Sequence, residues 1–239
     1  MDPHQVVQSI RNILSGFLHL FYPRTCAVCN TDLVKGEEVL CMSCLYNIPL
    51  TRYWKDKENP VAQIFWGRVD IENACAYFLF AKGSKYRPLL HKLKYQGQKE
   101  IGTELGRQFG QVLSKSELYK EIDYVVPVPL HPRKLRIRGY NQAEAIAEGI
   151  AAGLSTNVST THLVRKEFTE TQTRKTRAER VQNVSQAFDI KNAKELEGKH
   201  LLLVDDVVTT GATLEACASN LLSIENCKVS IGALAFASN

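Results

Sequence analysis

The sequence predicts an α/β fold: a mostly parallel, doubly wound sheet with a small metal-binding hood at its N-terminus. Three observations carry this. From Ile71 onward, strand-like apolar runs ("ACAYFLFA", "YVVPVPL", "HLLLVD", "KVSIGALAFA") alternate with segments of helical spacing, the pattern of a parallel sheet covered by helices. One of those strands ends in two adjacent carboxylates and runs through a Thr/Gly loop into a helix, in "LLLVDDVVTTGAT", residues 201–213. Ahead of the α/β pattern stand two CxxC pairs, in "CAVCNTDLVKGEEVLCMSC".

The elements follow in chain order. "MDPHQVVQSIRNILSGFLHLFYPRT" spaces Val6, Ile10, Ile13, Leu14 and Phe17 as an amphipathic helix. It lacks the basic start, apolar centre and small-residue cleavage site of a signal peptide. No apolar run approaches the roughly 18 residues of a membrane span, so the expectation is a cytoplasmic protein. Residues 1–50 then hold this helix and the cysteine hood. Residues 51–70, with Pro60, mixed charge and no periodicity, read as a linker. Residues 71–239 form the α/β domain. Its helices are expected over "KYRPLLHKLKYQG" and "EIGTELGRQFGQVLSK", separated at Gly97, then over "NQAEAIAEGIAAGL" and "ATLEACASNLLSI". "THLVRK" and "QAFDI" read as weaker strands around a long polar segment, "KEFTETQTRKTRAERVQNVS". A loop of that length inside a compact domain suits a mobile segment that closes over a ligand, a surface excursion or a charged helix.

Composition excludes little. The 239 residues are 44% hydrophobic and 23% charged, ordinary for a globular chain, and the net charge of +5 is modest. The placing of the charge says more. Arg133, Lys134, Arg136 and Arg138 cluster beside Tyr140, and Arg174, Lys175, Arg177 and Arg180 cluster in the long polar segment. Such groups suit a polyphosphate or a nucleic acid, or simply a solvated surface. Of seven cysteines, Cys26, Cys29, Cys41 and Cys44 have the spacing of a four-thiolate structural zinc site. Cys75, Cys217 and Cys227 sit in apolar surroundings and read as core thiols.

The stretch after "HLLLV" is built for an anion. Open α/β sheets bind ligands beyond the carboxyl ends of their strands, and a helix N-terminus offers unpaired N–H groups to phosphate. Gly211 lets backbone approach the ligand, and Thr209, Thr210 and Thr213 add hydroxyl donors around Ala212. Asp205 and Asp206 would repel that phosphate, so they require other partners. A sugar phosphate meets both demands, with its phosphate in the loop and its hydroxyls on the carboxylates.

"LLLVDDVVTTGAT" closely resembles the phosphoribosyl pyrophosphate (PRPP) loop of type I phosphoribosyltransferases. "VPVPLHPRKLRIRGYNQA", "HKLKYQG", "TQTRKTRAERVQNVSQAF" and the four-cysteine hood resemble the ComF family, phosphoribosyltransferase-like proteins linked to DNA uptake. The resemblance implies a type I phosphoribosyltransferase fold with a zinc-binding hood. It implies that Asp205 and Asp206 take the ribose of PRPP and form the catalytic pair. Thr209, Thr210, Gly211, Ala212 and Thr213 would take the 5′-phosphate, and Mg²⁺ would accompany the diphosphate. The basic run at 133–140 would serve pyrophosphate or single-stranded DNA, with Tyr140 either a stacking surface or core packing behind the Gly139 turn, and Arg174, Lys175, Arg177 and Arg180 would cover the pyrophosphate. Two other functions fit the same residues. One is a salvage or biosynthetic transferase acting on a nucleobase or amine. The other is a non-catalytic adaptor that senses PRPP and binds DNA or a competence partner such as a helicase. No nucleobase-recognition element stands out.

Overall fold

The computed structural model describes residues 24–81, 83–166 and 187–237. The expected N-terminal helix and the Arg174–Arg180 cluster lie outside the described residues. The chain divides into two compact units, Met1–Ile48 and Pro49–Asn239.

In the first unit, the described residues form a small knuckle around the cysteines. Thr25 bridges Asp32 in antiparallel fashion, and the Ala27 amide donates to the Val39 carbonyl at 2.9 Å. Helix α1 (Met42–Tyr46) begins at Cys41, whose sulfur accepts from the Cys44 amide. Cys26, Ala27, Val39, Leu40, Cys44 and Ile48 are buried. That apolar set is small, and a domain of this size normally needs a metal or disulfides to hold it.

The second unit opens with residues 51–70, which are folded and not a linker. Helix α2 (Pro60–Gln63) is capped by Asn59, whose Oδ1 accepts from the amides of Val61 and Ala62. The same side chain donates to the carbonyls of Asp56 and Ala74, both at 2.7 Å. Trp54, Val61, Ala62 and Phe65 are buried. One buried asparagine and four apolar anchors thus tie the stretch to the sheet.

Five parallel strands make that sheet: β1 (Ala74–Phe80), β2 (Tyr124–Pro127), β3 (Asn157–Val158), β6 (His200–Val208) and β7 (Lys228–Ala237). Their order is β1-β7-β6-β2-β3. A separate antiparallel pair, β4 (Leu163–Arg165) and β5 (Phe188–Ile190), flanks the long polar segment. The described helices after α2 are α3 (Arg87–Tyr95), α4 (Lys99–Leu113), α5 (Pro132–Arg138), α6 (Gln142–Leu154) and α7 (Ala212–Leu221).

Alternation along β6 and β7 serves two faces. Leu201, Leu203, Val229 and Ile231 share a core with Leu214, Cys217 and Leu221 of α7. On the other face Gly232 meets Leu202 and Phe109 of α4. Helices α4 and α6 come close enough that a methyl at Gly106 or Gly149 would strike the backbone of the other helix. The fold is therefore the doubly wound sheet expected, with α2, α5 and β3 among the elements added. Residues 132–138, part of the basic run, are helical: the His131 ring accepts from the Arg133 amide at 3.1 Å, Pro132 occupies the first turn, and Gly139 ends the helix at φ +77°. Residues 157–158 add a short edge strand.

Candidate functional site

The strand order places the site. β6 leads through α7 to β7 on one side, while β2 leads through α6 to β3 on the other. The loops leaving β2 and β6 therefore diverge, and a crevice opens between them at the carboxyl ends of the strands. Both Asp205 and Asp206 lie toward the carboxyl end of β6, and the basic helix α5 follows β2.

Successive residues of a strand face opposite sides, so the two carboxylates have different surroundings. Asp205 shares the face of Leu203 and lies over the buried Cys217, whose thiol is pushed up by burial and then by the Asp205 charge. Asp205 accepts a hydrogen bond from the Asp206 amide at 2.8 Å. Its carboxyl is pushed up to about 7, by burial first and by the Asp206 charge second, against the smaller pull of Lys94 and Lys134. Asp206 turns to the opposite face and pairs with Lys94 of α3, Nζ to Oδ2 at 3.0 Å.

Residues 209–213 form a solvent-open hollow of about 70 Å³ with Asp205 and Val207 at its side, room for several waters and so on the scale of a phosphate group. Gly211 is the residue before α7 and adopts φ +74°. A methyl there would lie 2.7 Å from Ile64 Cγ2 and 2.9 Å from Phe65 Cε1. Glycine is thus demanded by both backbone and space. The stretch read as a linker supplies this wall, and it braces the loop further. Arg68 donates to the Thr210 carbonyl at 2.9 Å and to the Glu215 carboxylate in the first turn of α7.

The basic residues divide. Lys134 is close enough to act on Asp205 electrostatically, and Arg138 donates to Gln142 Oε1 at 2.5 Å. Arg133, Lys134 and Arg136 are at the surface, and Leu135 and Ile137 stand out between them at 43% and 74% exposure. Tyr140 is no stacking surface. Its ring is 7% exposed, its hydroxyl donates to the Leu93 carbonyl, and the Lys99 ammonium lies 5.1 Å from its centroid. The exposed aromatic here is Tyr95, with the Arg138 guanidinium 5.4 Å from its centroid. Lys94 and Tyr95 were missed as site residues; the signal that pointed to them was the family-like "HKLKYQG" itself.

In the first unit, the sulfurs of Cys26, Cys29, Cys41 and Cys44 lie within 4.8 Å of one another, with Cys29 and Cys41 at 3.7 Å. Four sulfurs bound tetrahedrally at about 2.3 Å from zinc stand about 3.8 Å apart, so the donor set and the spacing fit that ion. Hydrogen bonding with Thr31, through side chain and backbone, holds the Cys29 thiol down at about 6, while burial and the neighbouring thiols push Cys44 up. A cation at the centre would remove that conflict by deprotonating the set.

Residues 140–239 match the phosphoribosyl transferase domain family. The chain is 30% identical over 138 residues to the DNA utilization protein YhgH of Escherichia coli strain K12, covering 56% of this chain and 60% of that protein. It is 34% identical over 134 residues to the competence protein ComFC of Bacillus subtilis strain 168, covering 56% and 52%. The match thus spans a little over half the length of these relatives. Among solved structures, an allosteric regulatory enzyme of purine biosynthesis aligns with a TM-score of 0.42 and 17% identity, over 59% of this chain and 29% of that one. Among the described residues, no helix is long and apolar enough to cross a membrane. By its domain match and its relatives, the chain carries a phosphoribosyl transferase domain in its C-terminal part and is similar, over a little more than half its length, to DNA utilization and competence proteins.

Proposed function

We propose that this chain binds PRPP at the carboxyl ends of β2 and β6 and acts in DNA uptake or use. The observation that carries the reading is the juxtaposition on one strand-loop-helix unit of two carboxylates, Asp205 and Asp206, with an anion hollow at residues 209–213. A ligand matching both has a phosphate at one end and hydroxyls a few ångströms away, which describes a ribose 5-phosphate. The 5′-phosphate sits against Thr209–Thr213 at the start of α7. The ribose hydroxyls donate to Asp205 and Asp206, and charge-assisted bonds of that kind are the strong ones.

Cations crowd the same end of the sheet, through Lys94 on α3 and Lys134 and Arg138 on α5. They suit the diphosphate at C1 of PRPP. The hard oxygens of Asp205 and Asp206 are also the donors Mg²⁺ accepts; bound there with the diphosphate, that ion would neutralise charge on the leaving group. Positive charge developing at the ribose as diphosphate departs would be stabilised by the carboxylates. Whether the chain transfers phosphoribose or only senses PRPP is decided by acceptor-dependent pyrophosphate release. The four-cysteine hood holds one structural zinc ion.

The DNA side of the reading rests on α5 and on the relatives, whose names speak of DNA utilization and competence. Arg133, Lys134 and Arg136 reach solvent along one short helix beside the site. Phosphate contacts need little more than such a row of cations.

The direct test is thermal. Saturating PRPP with Mg²⁺ is expected to raise the melting temperature, with about 2.7 kcal/mol of stabilisation at a hundred times the dissociation constant. An unchanged melting temperature with PRPP at millimolar concentration contradicts the reading.

A further inference from the structure

The segment that joins α2 to β1 forms a larger hollow, of about 320 Å³, which shares no residue with the one at 209–213. Its floor is buried, at Asn73, and its rim is exposed, at Lys57, Glu58, Trp66, Asp70 and Glu72. Trp66 is 59% exposed, although an indole normally buries most of its surface. Among the described residues, none of the three carboxylates is ion-paired.

Surface carboxylates are ordinarily solvated and need no partner. Asn73 is different. It is 9% exposed, its Nδ2 donates to the Leu118 carbonyl at 3.0 Å, and its Oδ1 is buried with no hydrogen-bond partner. Buried acceptors are nearly always paired, and among the described residues no other buried side-chain polar atom is left so. Apart from the Lys57 ammonium and the Trp66 indole N–H, every polar side chain of the hollow therefore offers an acceptor, beside one aromatic face. An anion would be repelled there. The ligand that fits carries positive charge, donates several N–H bonds and lies flat against an indole. A guanidinium has all three properties: five donors in one plane, a permanent charge, and a weakly hydrated face that stacks on aromatic rings.

We propose that this hollow binds a guanidinium group, seated on Asn73, stacked on Trp66 and paired with Glu58, Asp70 and Glu72. One guanidinium N–H donates to Asn73 Oδ1, and the remaining donors turn to the carboxylates. Val69 and Ile71, both partly buried, offer apolar surface to an alkyl stem. The chemistry is that of an arginine side chain on a partner protein or of a free guanidino compound. Three carboxylates against one ammonium draw either to the rim. The site is independent of the PRPP reading.

The chain holds two tryptophans, and Trp54 is buried, so emission that responds to a ligand at the rim reports Trp66. The probes are N-acetyl-argininamide, its uncharged citrulline counterpart, and agmatine. Titration of the full-length chain at low ionic strength is expected to give a saturable change in emission with N-acetyl-argininamide at millimolar concentration and none with the citrulline amide. The binding should weaken as salt rises. Tighter binding of agmatine than of the arginine amide identifies a free guanidino compound as the ligand; equal or weaker binding identifies an arginine side chain. The Asp70→Asn, Glu72→Gln double variant should lose about fivefold or more in affinity, the scale of two exposed ion pairs, and Trp66→Phe should silence the response. No saturable response to either guanidinium probe, equal responses to the charged and neutral amides, an unchanged affinity in the double variant, or a response that survives Trp66→Phe overturns the proposal. Should the double variant fail to fold, the two amides compared on the parent chain decide.

Discussion

Asp205 shows what a buried carboxylate at the proposed site costs the fold. Its carboxyl is moved from the ordinary 3.8 to about 7, chiefly by burial and then by Asp206. The folded chain therefore holds a proton that the unfolded chain releases between those values. Stability is fullest below about pH 4, falls as pH rises toward 7, and stays lowered above it. Replacing Asp205 with Asn removes the charge and keeps the shape. At pH 8 that variant is expected to be more stable than the parent by about 1–4 kcal/mol, the upper figure being the full shift at about 1.4 kcal/mol per unit. At pH 4 the two should unfold together. Urea unfolding at the two pH values checks this, and a variant less stable at pH 8 would contradict it. A gain in stability at a site residue is the usual mark of function held at the expense of folding.

At the scale of elements, α5 and the cysteine knuckle each carry a separate expectation. Cations on α5 are reached by solvent and face no core. Replacing Arg133, Lys134 and Arg136 with Ala should weaken binding of a labelled single-stranded oligonucleotide whatever its sequence, because phosphates carry no base information. The salt dependence should flatten by about 0.7 in log–log slope for each phosphate that is no longer neutralised. Fluorescence anisotropy at two salt concentrations measures both, and an unchanged slope removes α5 as a DNA site. For the knuckle, metal analysis should find about one zinc per chain. Stripping it with a chelator should unfold the hood, seen as loss of protection of the 24–48 amides from hydrogen exchange, since metal binding and folding are one event in such small units. Retained protection would contradict a structural zinc.

The sequence displayed what is local and concealed what is distant. Asp205, Asp206 and residues 209–213 are contiguous, so the strand, the loop and the helix start were all legible in thirteen residues. The CxxC pairs were legible for the same reason. Arg68 was not, because its partner carbonyl is 142 residues away. Asn59 and Phe65 were hidden likewise, since their partners lie on β1 and beside Gly211. Without those contacts the 51–70 stretch shows only its proline, its mixed charge and no periodicity. Tyr140 takes the core-packing alternative, which the sequence left undecided because the Leu93 carbonyl that takes its hydroxyl is on another helix. Helix α5 had its signals in place, His131, Pro132 and Gly139, but the run was weighed for its charge and not for its caps. Close packing of α4 on α6 was written in glycines four apart, a spacing that helical periodicity alone does not weigh.

At the scale of the whole molecule, a parallel sheet with diverging loops brings an acid pair, an anion hollow and a basic helix to one end. Each part alone has ordinary explanations. Their convergence supports a single ligand, PRPP, and calorimetry on the acid pair tests that most directly. The parent chain should bind PRPP in the presence of Mg²⁺. The Asp205→Asn, Asp206→Asn double variant should lose several kcal/mol of that binding, on the order of two charge-assisted hydrogen bonds at about 1.5–3 kcal/mol each, while remaining folded by circular dichroism. A folded double variant that binds PRPP as tightly as the parent would contradict the account.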